Sequence, residues 1–223
     1  MINLKHIYYI NLNERLLKKE FIENQLSNIR LPHTRVNGII CENFLDYPIE
    51  SKIKYGSAKH KGTIGCFLAH MKCLEKIYKK YQHIHNNQYF IILEDDTRFD
   101  ASVLHDIQHL SIPDDWEVLF INSAKQYEWS PNLDPAYCIN PNLYKIYDIY
   151  PRFLGAFFYV LNISAIEKIL KLQDKIIIYE DFDLFVYQQC VCYTYLTKKV
   201  SINRKYKSDR DPDHEDNSFK EEG

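Results

Sequence analysis

Three consecutive acids, Glu94-Asp95-Asp96, follow directly on the apolar run Tyr89-Phe90-Ile91-Ile92-Leu93. Packed carboxylates repel one another unless a cation or basic groups offset them. Hard oxygen ligands of this kind suit Mg²⁺ or Mn²⁺, which also bind phosphates. If strand geometry persists past Leu93, side-chain alternation puts Glu94 and Asp96 on one side and Asp95 on the other. A solvated turn or a helix N-terminus also accommodates acids, and the triplet by itself fits nucleases and phosphatases as well.

A second acidic group, Tyr179-Glu180-Asp181-Phe182-Asp183, opens a stretch read as a helix. Acids are favoured there by the helix dipole, and one of them is a candidate general base for an attacking hydroxyl. Arg15 lies just past the first apolar run, where a bidentate donor would meet a phosphate or a nucleobase edge; an exposed helix arginine is the plainer reading. His60 and His70 flank Gly62–Gly65, and lone histidines of this kind are ordinarily not catalytic. His214 sits among Asp211, Asp213, Glu215 and Asp216, a pattern that reads first as a solvated charge run. The cysteines at 41, 66, 73, 138, 190 and 192 form no CxxC pair. They read as reduced, packed apolar groups. Neither a GxGxxG nor a Walker loop nor a GxSxG is present. A carboxylate site without a standard phosphate loop fits sugar transfer better than phosphoryl or hydride transfer.

These residues need elements to hold them. Ile7–Ile10 reads as a buried first strand, and Glu14–Asn28 as a helix through Leu16, Leu17, Phe21, Ile22 and Leu26. His33–Val36 forms a short second strand, and 41–62 a mobile loop. Thr63–Tyr81 carries the strongest apolar stripe, with Thr63 as N-cap. Tyr89–Leu93 is a central strand covered on both faces. Val103–Leu110 is a short helix and Val118–Ile121 a further strand. Residues 122–150, with Pro131, Pro135 and Pro141, read as one long loop. Phe157–Leu161 is a strand, Ser164–Leu172 a helix capped by Asn162 or Ser164, and Tyr193–Ser201 a last strand. Strands alternating with helices give an α/β class with a mainly parallel central sheet. Ligands of such sheets bind beyond the carboxyl ends of the strands, where the acids fall. The organisation expected is one domain over 1–202 and a polar tail over 203–223.

Four stretches together resemble glycosyltransferase family 25, whose members include bacterial lipooligosaccharide galactosyltransferases and procollagen galactosyltransferases. Ile7–Arg15 is similar to the family's "InLdrR" start. Gly62–His70 is similar to "GeiGCflSH", with Ala69 in place of Ser. Phe90–Asp96 is similar to "alilEDD", and Gly155–Leu161 to "GthaYvls". Their order is the family's, and they extend over about residues 7–185. The resemblance implies a GT-A-type nucleotide-sugar-binding domain, with Mn²⁺ or Mg²⁺ held on the donor diphosphate through Glu94 and Asp96. It implies nucleotide-sugar contacts at Asn11, Leu12, Arg15, Asp95 and Gly155. The family's late acid maps to Asp181, with Asp183 left open because Tyr179-Glu180 stands where the family has Pro-Val. The activity implied is inverting transfer of a sugar, galactose from UDP-galactose, to a glycan or glycolipid hydroxyl.

The bulk properties agree. The chain has 223 residues, 14% aromatic content and 18 Tyr, enough to build a sizeable core. Its formal net charge of -2 argues against nucleic-acid binding by bulk electrostatics. No signal peptide is legible, and no apolar run approaches the roughly 20 residues of a membrane span. A cytoplasmic protein with at most peripheral membrane association is therefore expected, and a lipooligosaccharide-type acceptor is favoured over collagen. Two other classes remain open: a metal-dependent phosphohydrolase or nuclease, and a non-catalytic module that binds nucleotide-sugar or glycan.

Overall fold

β3 (Gln88–Glu94) is apolar on both faces, and both are covered. Phe90 and Ile92 join one core cluster, and Ile91 and Leu93 join a second on the opposite side. The computed structural model describes residues 1–40, 61–83, 87–123, 138–146, 155–172, 182–203 and 205. Among these, β3 lies within a sheet flanked by helices on both faces.

In chain order the elements before β3 are β1 (Asn3–Asn11), α1 (Leu16–Leu26), β2 (His33–Asn37) and α2 (Lys61–Tyr81). After it come β4 (Thr97–Phe99), α3 (Ser102–His109), β5 (Val118–Ser123), β6 (Cys138–Asn140) and β7 (Leu143–Ile146). The last are β8 (Phe158–Asn162), α4 (Ile163–Lys171), α5 (Phe182–Gln189), β9 (Cys192–Thr197) and β10 (Val200–Ile202). Eight strands form one sheet in the order β2-β1-β3-β8-β5-β9-β7-β6, and β10 pairs with β4 in a small second sheet. Six of the eight run in one direction, with β8 and β7 reversed, so the sheet is mixed. β8 is the consequential reversal. Running antiparallel between β3 and β5, it brings its own start beside the end of β3.

On one face, Ile64, Phe67, Met71, Leu74 and Ile77 of α2 pack with Ile163, Ile166 and Ile169 of α4 and Phe182 and Val186 of α5. On the other, Ile22 and Leu26 of α1 join Val103, Leu104 and Ile107 of α3. Each fully buried side chain of this size contributes about 1.5–3 kcal/mol of transfer free energy. Asn162 caps α4 by accepting from the Ala165 N–H at 2.9 Å, which decides between the two caps, Asn162 and Ser164, that the sequence allowed.

Several expectations are corrected. α1 does not bury the stripe that begins at Leu16 and Leu17, which are 67% and 70% exposed. Its buried line is Lys18, Ile22 and Leu26, because the helix is rotated to present position 18 to acidic partners across the layer. Thr63 lies inside α2, which begins at Lys61, so it is not the cap. The expected loop over 122–150 contains the end of β5 and the β6–β7 hairpin, an antiparallel pair short enough to leave little period-2 signal. The last strand is two, β9 and β10, separated by a turn at Lys198-Lys199. The expected loop over 41–62 falls mostly outside the described residues, as does the tail apart from Asn203 and Lys205. Among the described residues no helix is long and apolar enough to cross a membrane.

Candidate active site

β1 and β3 are parallel neighbours, with Ile10 opposite Glu94, so their carboxyl ends emerge side by side. Asn11 closes β1 and is buried. Its Nδ2 donates to Asp95 Oδ2 at 2.7 Å and to the Arg15 carbonyl at 3.1 Å. Its Oδ1 accepts from Arg35 Nε at 2.9 Å. Both amide donors are thus engaged within the protein, and Asn11 ties the turn into α1 to the acidic segment. The Asn11 carbonyl accepts from the Gly38 N–H at 2.9 Å. A Cβ at position 38 would sit 2.8 Å from Leu12 Cδ2, so a side chain there would displace the Leu12 side chain. Leu12 is half-buried, and Arg15 is exposed at the start of α1.

β3 ends at Glu94, and Asp95 and Asp96 form a turn into β4. The strand alternation anticipated from the sequence therefore does not extend through the triplet. Asp95 and Asp96 share one ammonium: Lys18 Nζ lies 3.8 Å from Asp95 Oδ1 and 3.5 Å from Asp96 Oδ2. Glu94 reaches the other way, toward α2. Its Oε1 is 3.2 Å from His70 Nε2 and 3.9 Å from Cys66 Sγ. The turn is held on several sides. Glu94 N–H and the Thr97 hydroxyl both donate to the Phe157 carbonyl, at 2.9 and 2.7 Å. The Asn203 N–H donates to the Asp96 carbonyl at 2.7 Å, and Gln25 of α1 donates to the Thr97 carbonyl and accepts from the Phe99 N–H, each at 2.9 Å.

Asp96 carries the electrostatic strain of the cluster. Burial first, and then the negative charge of Glu94, push its carboxyl up to about 7; Lys18 opposes the rise and Asp95 adds to it. Its Oδ1 is buried with no hydrogen-bond partner among the described residues. A buried, partnerless carboxylate oxygen beside two further acids is chemically matched to a hard divalent cation.

Gly155 lies before β8 at φ 136, a backbone conformation that an L side chain strains to adopt. A Cβ there would also meet the Phe157 ring at 2.7 Å. Its N–H donates to Asp183 Oδ2 at 2.5 Å. Asp183 is 2% exposed, so its carboxylate is engaged in fixing the approach to β8. Asp181, Glu180, His60 and His214 lie outside the described residues.

The structure therefore gathers Asn11, Glu94, Asp95 and Asp96 at the carboxyl ends of β1 and β3, with Leu12 and Arg15 on the adjoining turn. Gly155 and Asp183 stand behind them on the β8 side. Sequence reasoning missed Lys18, Arg35 and the link from Cys66 and His70 to Glu94. For Lys18 a signal existed: it lies four residues before Ile22 and eight before Leu26, on the same helical line.

The sequence matches the profile of Glycosyltransferase family 25 (LPS biosynthesis protein) over residues 4–186. The chain belongs to glycosyltransferase family 25. Membership makes the protein a glycosyltransferase, and the phosphohydrolase, nuclease and non-catalytic alternatives fall away. Curated protein sequences give no significant match. Solved structures similar to the transferase include a glycosyltransferase involved in glycosylation of the major capsid of PBCV-1. That likeness has 7% identity and a TM-score of 0.45, covering 83% of this chain and 74% of that one. The galactosyltransferase LgtC, in complex with donor and acceptor sugar analogues, has 11% identity and a TM-score of 0.43, covering 85% and 72%. Mouse xyloside xylosyltransferase 1 has 12% identity and a TM-score of 0.37, covering 83% and 68%. At these scores the family assignment rests on the sequence match.

Proposed function

We propose that the transferase moves galactose from UDP-galactose to a hydroxyl of a lipooligosaccharide-type glycan, with inversion, on a GT-A-type domain. The observation that carries a cation-dependent mechanism is Asp96 Oδ1, buried and without a hydrogen-bond partner among the described residues. Glu94 and Asp96 would hold Mn²⁺ or Mg²⁺, which when bound neutralises charge on the leaving diphosphate.

The remaining work falls to the chain's own groups. Asn11 fixes Asp95 through its 2.7 Å hydrogen bond, so Asp95 presents a constant face to the donor. Arg15, on the turn after β1, binds the nucleotide diphosphate by charge-assisted hydrogen bonds. Leu12 lines the same entrance, and Gly155, which adopts its positive φ without strain, lets the donor approach the sheet without a side chain in the way. Asp181 takes the proton from the acceptor hydroxyl as it attacks the anomeric carbon. Asp183 positions the Gly155 segment through its hydrogen bond.

The test is hydrolysis of a panel of nucleotide-sugars with Mn²⁺ and no acceptor. UDP-galactose should be turned over fastest, and excess chelator should stop the reaction. Full turnover in chelator would remove the cation from the mechanism. Preference for another donor would overturn the assignment to galactose.

A further inference from the structure

Cys66 and His70 stand one turn apart on α2, four residues in sequence, and so share a helix face. That face meets the end of β3. Cys66 Sγ, His70 Nε2 and Glu94 Oε1 all lie within 4.8 Å of one another. We propose that these three residues form a second cation site, selective for a thiophilic divalent ion such as Zn²⁺, and that it shares Glu94 with the donor site.

The ligand set is a thiolate, an imidazole and a carboxylate, which suits zinc rather than the all-oxygen preference of Mg²⁺ or Mn²⁺. With Zn–S near about 2.3 Å and Zn–N near about 2.0 Å, a tetrahedral ion holds such ligands about 3.5 Å apart. The separations here are 3.2 Å from His70 to Glu94 and 3.9 Å from Cys66 to Glu94, with Cys66 and His70 within 4.8 Å of each other, so side-chain movement must draw the three ligands onto the ion.

The histidine is already oriented as a ligand. His70 is 1% exposed, its ring stacks on Phe182 at 4.6 Å and 10°, and its Nδ1 lies 3.0 Å from the Tyr159 hydroxyl. Burial holds the Tyr159 phenol well above its ordinary range, so it remains a hydroxyl able to donate or accept. Without an ion, an ionised Glu94 can only accept, so the neutral tautomer that satisfies both contacts has Nε2–H donating to Glu94 and Nδ1 accepting from the Tyr159 hydroxyl. An ion bound at Nε2 requires the tautomer with the proton on Nδ1, whose N–H then donates a hydrogen bond to the Tyr159 hydroxyl oxygen, the outer hydrogen bond typical of metal-bound histidine. The Cys66 thiol proton leaves to solvent. Cys66 and Glu94 are both half-buried, which leaves the ion a route in. Three protein ligands leave a fourth position for water.

The consequence for activity rests on the donor-site reading above. An ion held by Cys66 and His70 draws Glu94 away from the donor cation, so zinc antagonises Mn²⁺-supported transfer.

The site is tested with the full chain and Co²⁺ alone, without nucleotide or Mn²⁺. Wild type should develop a near-ultraviolet thiolate-to-cobalt band with the visible absorption of a four-coordinate ion, and Zn²⁺ should displace both. Cys66→Ser should abolish the band and weaken Zn²⁺ binding by more than about 100-fold, since losing an outer-shell partner alone costs about 10–100-fold. X-ray absorption on the zinc-loaded protein should find one sulfur neighbour, a measurement that needs no variant. Absence of the band in wild type, its persistence in folded Cys66→Ser, or a zinc shell without sulfur overturns the site. Asp96→Asn separates the two readings. It should keep the cobalt band while losing Mn²⁺-supported transfer; loss of the band in folded Asp96→Asn overturns a site independent of Asp96. Full transfer by that variant would sink the donor-cation reading and leave the thiolate site standing.

Discussion

Lys18 shows how one side chain holds a site in readiness. Its side chain is 5% exposed and its ammonium serves Asp95 and Asp96 together, where it offsets charge that the acids could not otherwise carry in a buried turn. Removing one member of a buried ion pair typically costs about 3–5 kcal/mol, because the remaining charge is left uncompensated. Lys18→Met should lose about that much stability in urea titrations run in chelator, and Mn²⁺ should restore more stability to the variant than it adds to wild type. Equal recovery in both would mean that the ammonium and the cation do not answer the same charge. Asp96 sets the pH response. Its carboxyl rises from an ordinary 3.8 to about 7 on folding, so the folded protein holds that proton more tightly than the unfolded chain does. The resulting stabilisation is complete below about pH 4 and is lost as pH climbs through about 7. Melting curves in chelator should therefore fall across that window by an amount that Asp96→Asn removes. Mn²⁺ affinity should rise over the same range, since the cation displaces the proton.

At the scale of elements, the reversal of β8 matters most. An antiparallel strand between β3 and β5 places its N-terminal approach, Gly155–Phe157, against the carboxyl end of β3, where the Phe157 carbonyl accepts from Glu94 N–H. α5 then secures that approach through Asp183. The two acids near the start of α5 should accordingly behave differently. Asp183→Ala should cost about 1.5–3 kcal/mol, the worth of a hydrogen bond to a charged group, and show first as a lower denaturation midpoint. Asp181→Asn should leave the midpoint alone and cut turnover by about 10²–10⁴ with donor affinity retained. If Asp183→Asn abolished turnover at unchanged stability, the base would lie two residues later than proposed.

Across the whole molecule, the acidic segment Glu94–Asp96 and the turn it forms receive contacts from β1, α1, α2, the approach to β8 and the residue after β10. A ligand bound there is coupled to the stability of both faces of the sheet. Mn²⁺ with a nucleoside diphosphate at about 100 times its Kd should add about 2.7 kcal/mol. For a chain of this size that is about 5–10 °C in Tm. Calorimetry should find a smaller shift with the diphosphate in chelator. Equal shifts would uncouple the nucleotide from the metal. The near-neutral charge predicts weak dependence of stability on added salt.

Elements that are long and strongly patterned can be read from the residues without a structure. α2 was legible from Ile64, Phe67, Met71, Leu74 and Ile77, and β3 from an unbroken apolar run, because burial on one stripe or on both faces leaves a periodic signature. The acidic triplet and the family were legible for a related reason: they are short, local and compositionally unusual. The remaining features arise from contacts between elements far apart in the chain. Strand direction leaves no mark on a five-residue apolar run, so the reversal of β8 appears only once its neighbours pair with it. The rotation of α1 was hidden because Leu16 and Leu17 mimic a buried face, while the attraction that buries Lys18 comes from acids 77 and 78 positions away in the chain. Cys66 and His70 fall within a family-like motif, but nothing in it ties them to Glu94 until α2 packs against β3. Their link to Glu94 is a property of the interface between two elements, and neither element's sequence contains it.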